Sequence, residues 1–513
     1  MDHGISLDTA LARWAVTTPD APFVSEVETG RVLSYGAARA AVQTLRAYLG
    51  EPGRVVGLSL PAGVPSAMTW LAALTGGHTL VPCSPDATDE EKARLGARFG
   101  VDTLVVPAVD HAFGFANPEA RIITLREVEE VIGRAVAGPA PSVPAAFEGE
   151  VCLTTSGTTG EPKGIRLRAH QVAYTADQIR RRHRLTTSDR GLSVLPFFHV
   201  NAPVVSLCAT LMAGATVVIA PRFSRSRFWS WIEREQITWA SVVPAIVAML
   251  LQTEPPEWLP GPLRFVRTAS APLPVTYLRE FERRFGVPMI ETYGLSEAAA
   301  TVAANPAPPA RHVPGSVGLP LGVSIRICRP RENNVSTSLA DVAPGVEGEI
   351  CISGPSVIAG YEGGVGASSF TDGWFRTGDL GRLDNDGYLH ISGRLGDVIN
   401  RGGEKIAPRE VEEVLLAHPL VRDVAVVGRP DPIFGRRVVA YVVPSGGAFP
   451  DLSGTLRAYA ARRLSTYKVP EEVVEVPALP RTRTGKIQRH LVGVTTVAGL
   501  GGLTDELEQD GAA

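Results

Sequence analysis

Short apolar runs alternate with amphipathic helical stretches through the first part of the chain, and few architectures satisfy that pattern. RVVGLSL from Arg54, HTLVPC from His78 and DTLVVP from Asp102 are strand-like, and segments such as EEKARLGARFG separate them with helical periodicity. Such an alternation predicts parallel sheets covered by helices, an α/β fold. At 513 residues the chain also exceeds what one hydrophobic core organises, so more than one unit is expected. The pattern changes past Asp379. A turn-rich segment, LDNDGYLHISGRLGD, gives way to a helix opening at Pro408, the strands DVAVVG and VVAYVVP, the helix LRAYAARRL and a basic turn, PRTRTGKIQR. Proline in a first helical turn leaves no hydrogen bond unmet, which fixes that start. The expected architecture is a large N-terminal domain of parallel sheets over residues 1–393 and a smaller α+β C-terminal domain over 394–513, joined by a hinge. AGPAPSVPAA from Ala137 reads as a surface connector, and the stretch from Val494 as a frayed tail.

The totals narrow the function class. A hydrophobic fraction of 44% with 20% charged residues suits a globular enzyme, and a net charge of -3 supplies no overall field for nucleic acid or an anionic membrane. Val204 to Ala220 is uncharged but short for a membrane span and holds Gly214, so a buried helix followed by a strand is expected, without stable membrane insertion. The N-terminus carries Asp2 and Asp8 where an export signal needs basic then apolar residues; Leu7, Leu11 and Trp14 fall on one helical face. A cytoplasmic location follows as the expectation. The five cysteines, Cys83, Cys152, Cys208, Cys328 and Cys351, have no metal-ligand spacing and read as buried thiols.

Chemistry concentrates first in TTSGTTGEPKG, from Thr154 to Gly164. Its glycines let backbone N–H groups approach an anion; Thr155, Ser156, Thr158 and Thr159 add hydroxyls and Lys163 adds charge. With Gly157 and Gly160 this makes a phosphate cradle, and its spacing differs from that of a Walker A loop.

This segment resembles the signature of the AMP-binding, adenylate-forming superfamily of acyl-CoA synthetases, adenylation domains and luciferases. Further elements arrive in the family's order: PFFHV with His199, ASAPLP from Ala269, TYGLSE from Thr292, RTGDL, SGRLGDVINRGGEKI, and PRTRTGK ending at Lys486. The resemblance implies ATP-dependent activation of a carboxylic acid, apolar or aromatic or else small with a polar group that Asn201 could bond, to an acyl-adenylate with pyrophosphate release. Transfer to the thiol of coenzyme A follows; the alternative is a stand-alone ligase that loads a carrier protein, an amine or another nucleophile. It implies ATP and Mg²⁺ as cofactors, and a mobile C-terminal domain that carries the catalytic lysine.

Bringing a carboxylate to a phosphate needs cations and oriented dipoles. By resemblance, Lys486 touches the α-phosphate and the substrate carboxylate, and Glu297 is the metal ligand. Asp379 offers two acceptor oxygens for a ribose diol, Tyr293 a ring face for adenine, and Arg394 a nucleotide contact. Ser270, Ala271, Pro272, Glu291, Thr292, Gly294 and Ser296 complete the expected ATP site. His199 reads either as a gate between the acyl pocket and the thiol tunnel or as a core histidine. Val200, Asn201, Trp239, Val243 and Leu295 are candidates for the acid pocket, Trp239 equally for the core. No carboxylate follows the aromatic motif, which disfavours an α-amino acid. Gly402, Gly403, Glu404 and Lys405 resemble the thiol-tunnel loop. At the hinge, relatives place Asp or Lys where this chain has Gly396, which frees the backbone and removes an anchoring side chain.

Overall fold

The computed structural model describes residues 6–112, 117, 119–138, 146–155, 163–331, 339–446, 449–482 and 486–493. The expected connector around Ala137 lies largely outside them, as does the chain from Val494.

The predicted parallel strands form. Val55–Leu58, Thr79–Pro82 and Thr103–Val106 lie in a six-stranded sheet, flanked by Arg121–Thr124 at one edge and by Glu150–Thr155 and Lys163–Arg168 at the other. All its pairs are parallel except the last, Glu150–Thr155 with Lys163–Arg168, which is an antiparallel pair closing at Thr155↔Lys163. Thr155 and Lys163, the residues on either side of 156–162, are thus paired across antiparallel strands. The helix over EEKARLGARFG, Asp89–Phe99, starts at a capping box between Thr88 and Glu91 and stops at Gly100 in the left-handed region, where glycine adopts positive φ without a Cβ clash.

A nine-stranded sheet holds the remainder of the N-terminal core. Met289–Tyr293, Phe265–Thr268, Trp239–Val242, Arg190–Ser193, Thr216–Ile219 and Pro22–Glu26 follow one another in parallel, with antiparallel strands at both ends. Helices such as Val64–Thr75, buried on every side, share one large apolar cluster with the strands of both sheets. In the Val204–Ala220 run the expected helix and strand are present, but the helix begins as π-helix over Ala202–Cys208 before the α-turns of Ala209–Ala213 and the strand Thr216–Ile219. Among the described residues no helix is long and apolar enough to cross a membrane. All five cysteines are buried and free.

A third, antiparallel sheet of Ser324–Cys328, Gly348–Ser353, Phe370–Thr371, Trp374–Leu383 and Leu389–Arg394 leads into the C-terminal unit. There the hairpin Ile399–Arg401/Glu404–Ile406, the sheet of Val421–Asp431, Gly435–Pro444 and Glu472–Glu475, and the helices Pro408–Leu416 and Leu452–Ala461 enclose a separate core that includes Ile399, Val411, Leu415, Val424 and Leu456. The helix opens at Pro408, as read from sequence.

Candidate active site

The strand Trp374–Leu383 carries the RTGDL element, and its local shape aims Asp379. Against Gly348–Ser353 its register slips between Glu349 and Cys351, and Gly378 takes φ +73, so the strand bulges there. Thr377 Oγ1 accepts the Asp379 N–H at 3.0 Å and donates to the Ile350 carbonyl at 2.9 Å, pinning the bulge. Three residues earlier, Arg376 is buried and donates twice to Glu349 Oε2, at 2.9 and 2.7 Å, while Arg331 reaches Oε1 at 3.1 Å. A buried carboxylate held by two guanidinium groups is the arrangement that offsets its desolvation.

Asp379 then gathers the site. Its Oδ2 accepts from the Tyr293 hydroxyl at 2.5 Å and its Oδ1 from Arg394 Nε at 2.7 Å. Each oxygen keeps a lone pair for a ribose hydroxyl. Burial, then the Asp379 charge, holds the Tyr293 phenol well above its usual range, so it stays a donor. The same carboxylate raises the Arg394 pKa. Lys486, in the C-terminal unit, is exposed and close enough to this corner to feel both Arg394 and Asp379. Partial desolvation of its ammonium and then the Arg394 charge lower its pKa, opposed by Asp379 and Asp397. Its turn is held by Thr482 Oγ1, which accepts the Lys486 N–H at 3.1 Å. The two units are tied by the Tyr277 hydroxyl on the Arg422 carbonyl, at 2.8 Å.

A second group links the cradle's lysine to the expected metal ligand. Lys163 Nζ lies 4.7 Å from the Tyr361 ring centroid, and the Tyr361 hydroxyl donates to Glu297 Oε1 at 2.8 Å. Among the described residues no three metal-ligating side chains converge. One carboxylate with substrate phosphates and water still suits Mg²⁺, which seldom has an all-protein cage. Backbone strain surrounds these groups: Ser270, Ala299 and Ala300 have φ of +75, +52 and +87 without being glycine. Gly294 is sterically required, since a Cβ there would lie 1.5 Å from the Ala300 carbonyl oxygen.

The remaining sequence-derived residues separate into groups. Asn201 Nδ2 reaches Ser270 Oγ at 3.3 Å, so the residue after the aromatic motif touches the ASAPLP segment of Ala271 and Pro272. His199 is half-buried against Phe198, 4.5 Å between centroids. Val200 packs on the main core, and Val243 is buried just before the helix Pro244–Leu250. Leu295 and Ser296 accept the N–H groups of the short turn holding Glu297. Trp239 has the surroundings of a core residue: fully buried, stacked with Phe265 at 6.1 Å and pressed on Gly191. Glu291 turns its carboxylate to the Gly315 N–H at 2.7 Å, and burial pushes its pKa up to about 7. Thr292 Oγ1 donates to the Thr268 carbonyl and accepts from Arg267. Thr155 lies at the hairpin mouth; Ser156, Gly157, Thr158, Thr159 and Gly160 lie outside the described residues. Gly402, Gly403, Glu404 and Lys405 form an exposed turn tied to Phe434 rather than to the Lys486 corner. A Cβ on Gly396 would meet nothing within 4 Å. Tyr361 and Arg267 were absent from the sequence reading; the only signal for Tyr361 was an aromatic set among the glycines of IAGYEGG.

Comparison with known proteins places this geometry. The AMP-binding enzyme model matches residues 11–362, and that of the AMP-binding enzyme C-terminal domain matches 410–486. The chain is 37% identical over 506 residues to a sulfoacetate--CoA ligase of Cupriavidus necator, covering 94% of this chain and 96% of that one. It is 35% identical to an oxalate--CoA ligase of Arabidopsis thaliana, covering 86% and 88%. Its fold superposes on ATP-bound MatB from Rhodopseudomonas palustris with a TM-score of 0.85 at 28% identity, over 95% and 98% of the two chains. The chain belongs to the AMP-binding, adenylate-forming enzymes, within the acyl-CoA synthetases.

Proposed function

We propose that the enzyme converts a small carboxylic acid and ATP to an acyl-adenylate and pyrophosphate, and then passes the acyl group to coenzyme A. The observation that carries this reading is Lys486 facing the Tyr293–Asp379–Arg394 cluster from across the hinge. In the first half-reaction a carboxylate oxygen attacks the α-phosphorus and the bond to pyrophosphate breaks. Lys486 offsets the negative charge that gathers there, Asp379 orients the ribose, and the Tyr293 ring supports adenine. Mg²⁺ would be held by Glu297 and substrate phosphates, and supplies charge neutralisation. The cradle before Lys163 would take the phosphates. In the second half-reaction a thiol attacks the acyl carbonyl and AMP leaves, with the Gly402–Lys405 turn as its entry. The boundary near residue 394, with Gly396 beside it, is the proposed hinge between the two steps. Both curated relatives act, by name, on CoA and on acids with a second acidic group, which favours a small polar substrate. A carrier-protein thiol is the second reading, favoured by the exposed Ile433 and Phe434 beside Gly402.

Mass spectrometry of reactions containing ATP, Mg²⁺ and a panel of acids, with and without CoA, tests the proposal. Acyl-AMP without CoA and acyl-CoA with it is the expected result. An adenylate that CoA leaves untouched moves the acceptor to a carrier protein or an amine, and pyrophosphate release from none of the acids contradicts acid activation.

A further inference from the structure

Arg267 is the charged side chain that the fold does not account for. It sits in the strand Phe265–Thr268, 1% exposed. Its Nη2 donates to Thr292 Oγ1 at 2.9 Å, while Nε and Nη1 have no hydrogen-bond partner among the described residues. No described carboxylate forms an ion pair with it, and burial pushes its pKa down to about 9. The other buried arginine of comparable depth, Arg376, is matched by Glu349. A buried guanidinium with no counter-charge is among the costlier features a core can carry, and folds retain one mainly where an anion arrives to meet it.

Its neighbours point the same way. Across the parallel sheet Arg267 is in register with Ser241, and Ser241 with Ser193, so the three side chains share one face. Both serine hydroxyls are buried and unpartnered among the described residues. Thr292 lies two residues past Ile290, the register partner of Arg267, and therefore on that face too. The π-helical segment Ala202–Cys208 packs against the Arg190–Ser193 and Trp239–Val242 strands, and within it the Ser206 hydroxyl is likewise buried without a partner among the described residues. This polar row stands at the carboxyl ends of parallel strands, where open α/β sheets bind ligands. Arg267 precedes Thr268 and Thr292 precedes Tyr293, so the row adjoins the segments proposed above to hold the nucleotide. An unmatched cation and a line of unmatched hydroxyls form a built site for an oxyanion.

We propose that Arg267, with Ser241 and Ser193, binds a second anionic group at the distal end of the acid substrate. The substrates are then short acids bearing one carboxylate for adenylation and a further carboxylate or sulfonate for this subsite. The inference rests on the acid-activation reading above and names its substrate class.

Calorimetric titration of the full chain in the presence of AMP, using malonate, oxalate, sulfoacetate and, as the singly charged control, propionate, tests it. At least one doubly charged acid should bind better than propionate by about thirtyfold or more, the scale of a charged hydrogen bond. Which of the three wins separates carboxylate from sulfonate. Arg267→Met should erase the difference while leaving the unliganded protein's Tm equal or higher, because an uncompensated charge has been removed, and should move the KM for ATP by less than about twofold. If Arg267→Met fails to fold, Ser241→Ala decides: a loss of about fivefold or more in dianion affinity alone supports the subsite, and no loss overturns it. Equal binding of propionate and the dianions, or dianion preference that survives Arg267→Met, also overturns it. Pyrophosphate release distinguishes the two layers. Arg267-dependent binding without turnover sinks acid activation and keeps the anion site, whereas turnover of monocarboxylates alone sinks the subsite and keeps acid activation.

Discussion

Glu291 shows how burial sets the protonation of one side chain. It sits in the strand leading to Tyr293, yet its carboxylate turns to the Gly315 N–H, and burial raises its pKa to about 7. The raised value means that the folded state holds a proton that the unfolded chain releases near pH 4.5. The contribution of Glu291 to stability is therefore full at low pH, falls between about pH 4.5 and 7, and stays reduced above that, by on the order of 3 kcal/mol. Glu291→Gln keeps an acceptor for Gly315 and cannot ionise, so chemical denaturation should show it gaining on the wild type as pH rises through this window; parallel curves would exclude a titrating Glu291. Tyr361 acts at the same scale, holding Glu297 on one side and Lys163 on the other. Tyr361→Phe leaves the ring under Lys163 but frees the carboxylate, and a lost ligand-orienting bond weakens metal binding by about tenfold or more. Mg²⁺ titration of activity at fixed ATP would show this as a higher half-saturation; an unchanged curve would exclude a supporting role for the hydroxyl.

At the scale of elements, the bulged strand Trp374–Leu383 places Asp379, and the buried Arg376–Glu349 pair holds that strand in place. Arg376→Leu leaves the buried Glu349 carboxylate with Arg331 alone, so urea denaturation should show a loss of about 3 kcal/mol, and adding Glu349→Leu, which leaves Arg331 without its carboxylate, should recover only part of it. A single-variant loss below about 1 kcal/mol would show the pair to be dispensable. This level separates what the sequence announces from what it conceals. Parallel strands such as Thr103–Val106 were legible because burial on both faces leaves an unbroken apolar run, and the helix at Pro408 because proline fixes its first turn. The π-helix after Asn201 carries no periodicity of its own, and its composition is that of any buried helix. Arg267 hid for a related reason: one cation in an apolar strand looks like an edge residue until the register sets it in the middle of a sheet. Motif residues such as Asp379 and Tyr293 could be named from sequence, but their direct bond is made by chain segments 86 positions apart.

For the whole molecule, the C-terminal unit presents Lys486 to the nucleotide corner while the Gly402–Lys405 turn faces solvent. This is the arrangement that the proposed adenylation step calls for; the proposed thioester step would use the other face. Gly396 has open space around it and takes no positive φ, so its glycine is not dictated by packing in this state; the proposed hinge would use its backbone freedom for motion between states. The account predicts that the two half-reactions depend on different faces of one domain. The measurement that bears on this most directly is the rate of each half-reaction in Lys486→Ala: pyrophosphate release from acid and ATP, and acyl-CoA formation from supplied acyl-adenylate. Pyrophosphate release should fall by about a hundred- to thousandfold, the cost of one lost transition-state contact, while acyl-CoA formation from the adenylate stays within about threefold of wild type. Equal losses in both, or no loss in the first, would contradict the assignment of Lys486 and the two-state hinge together.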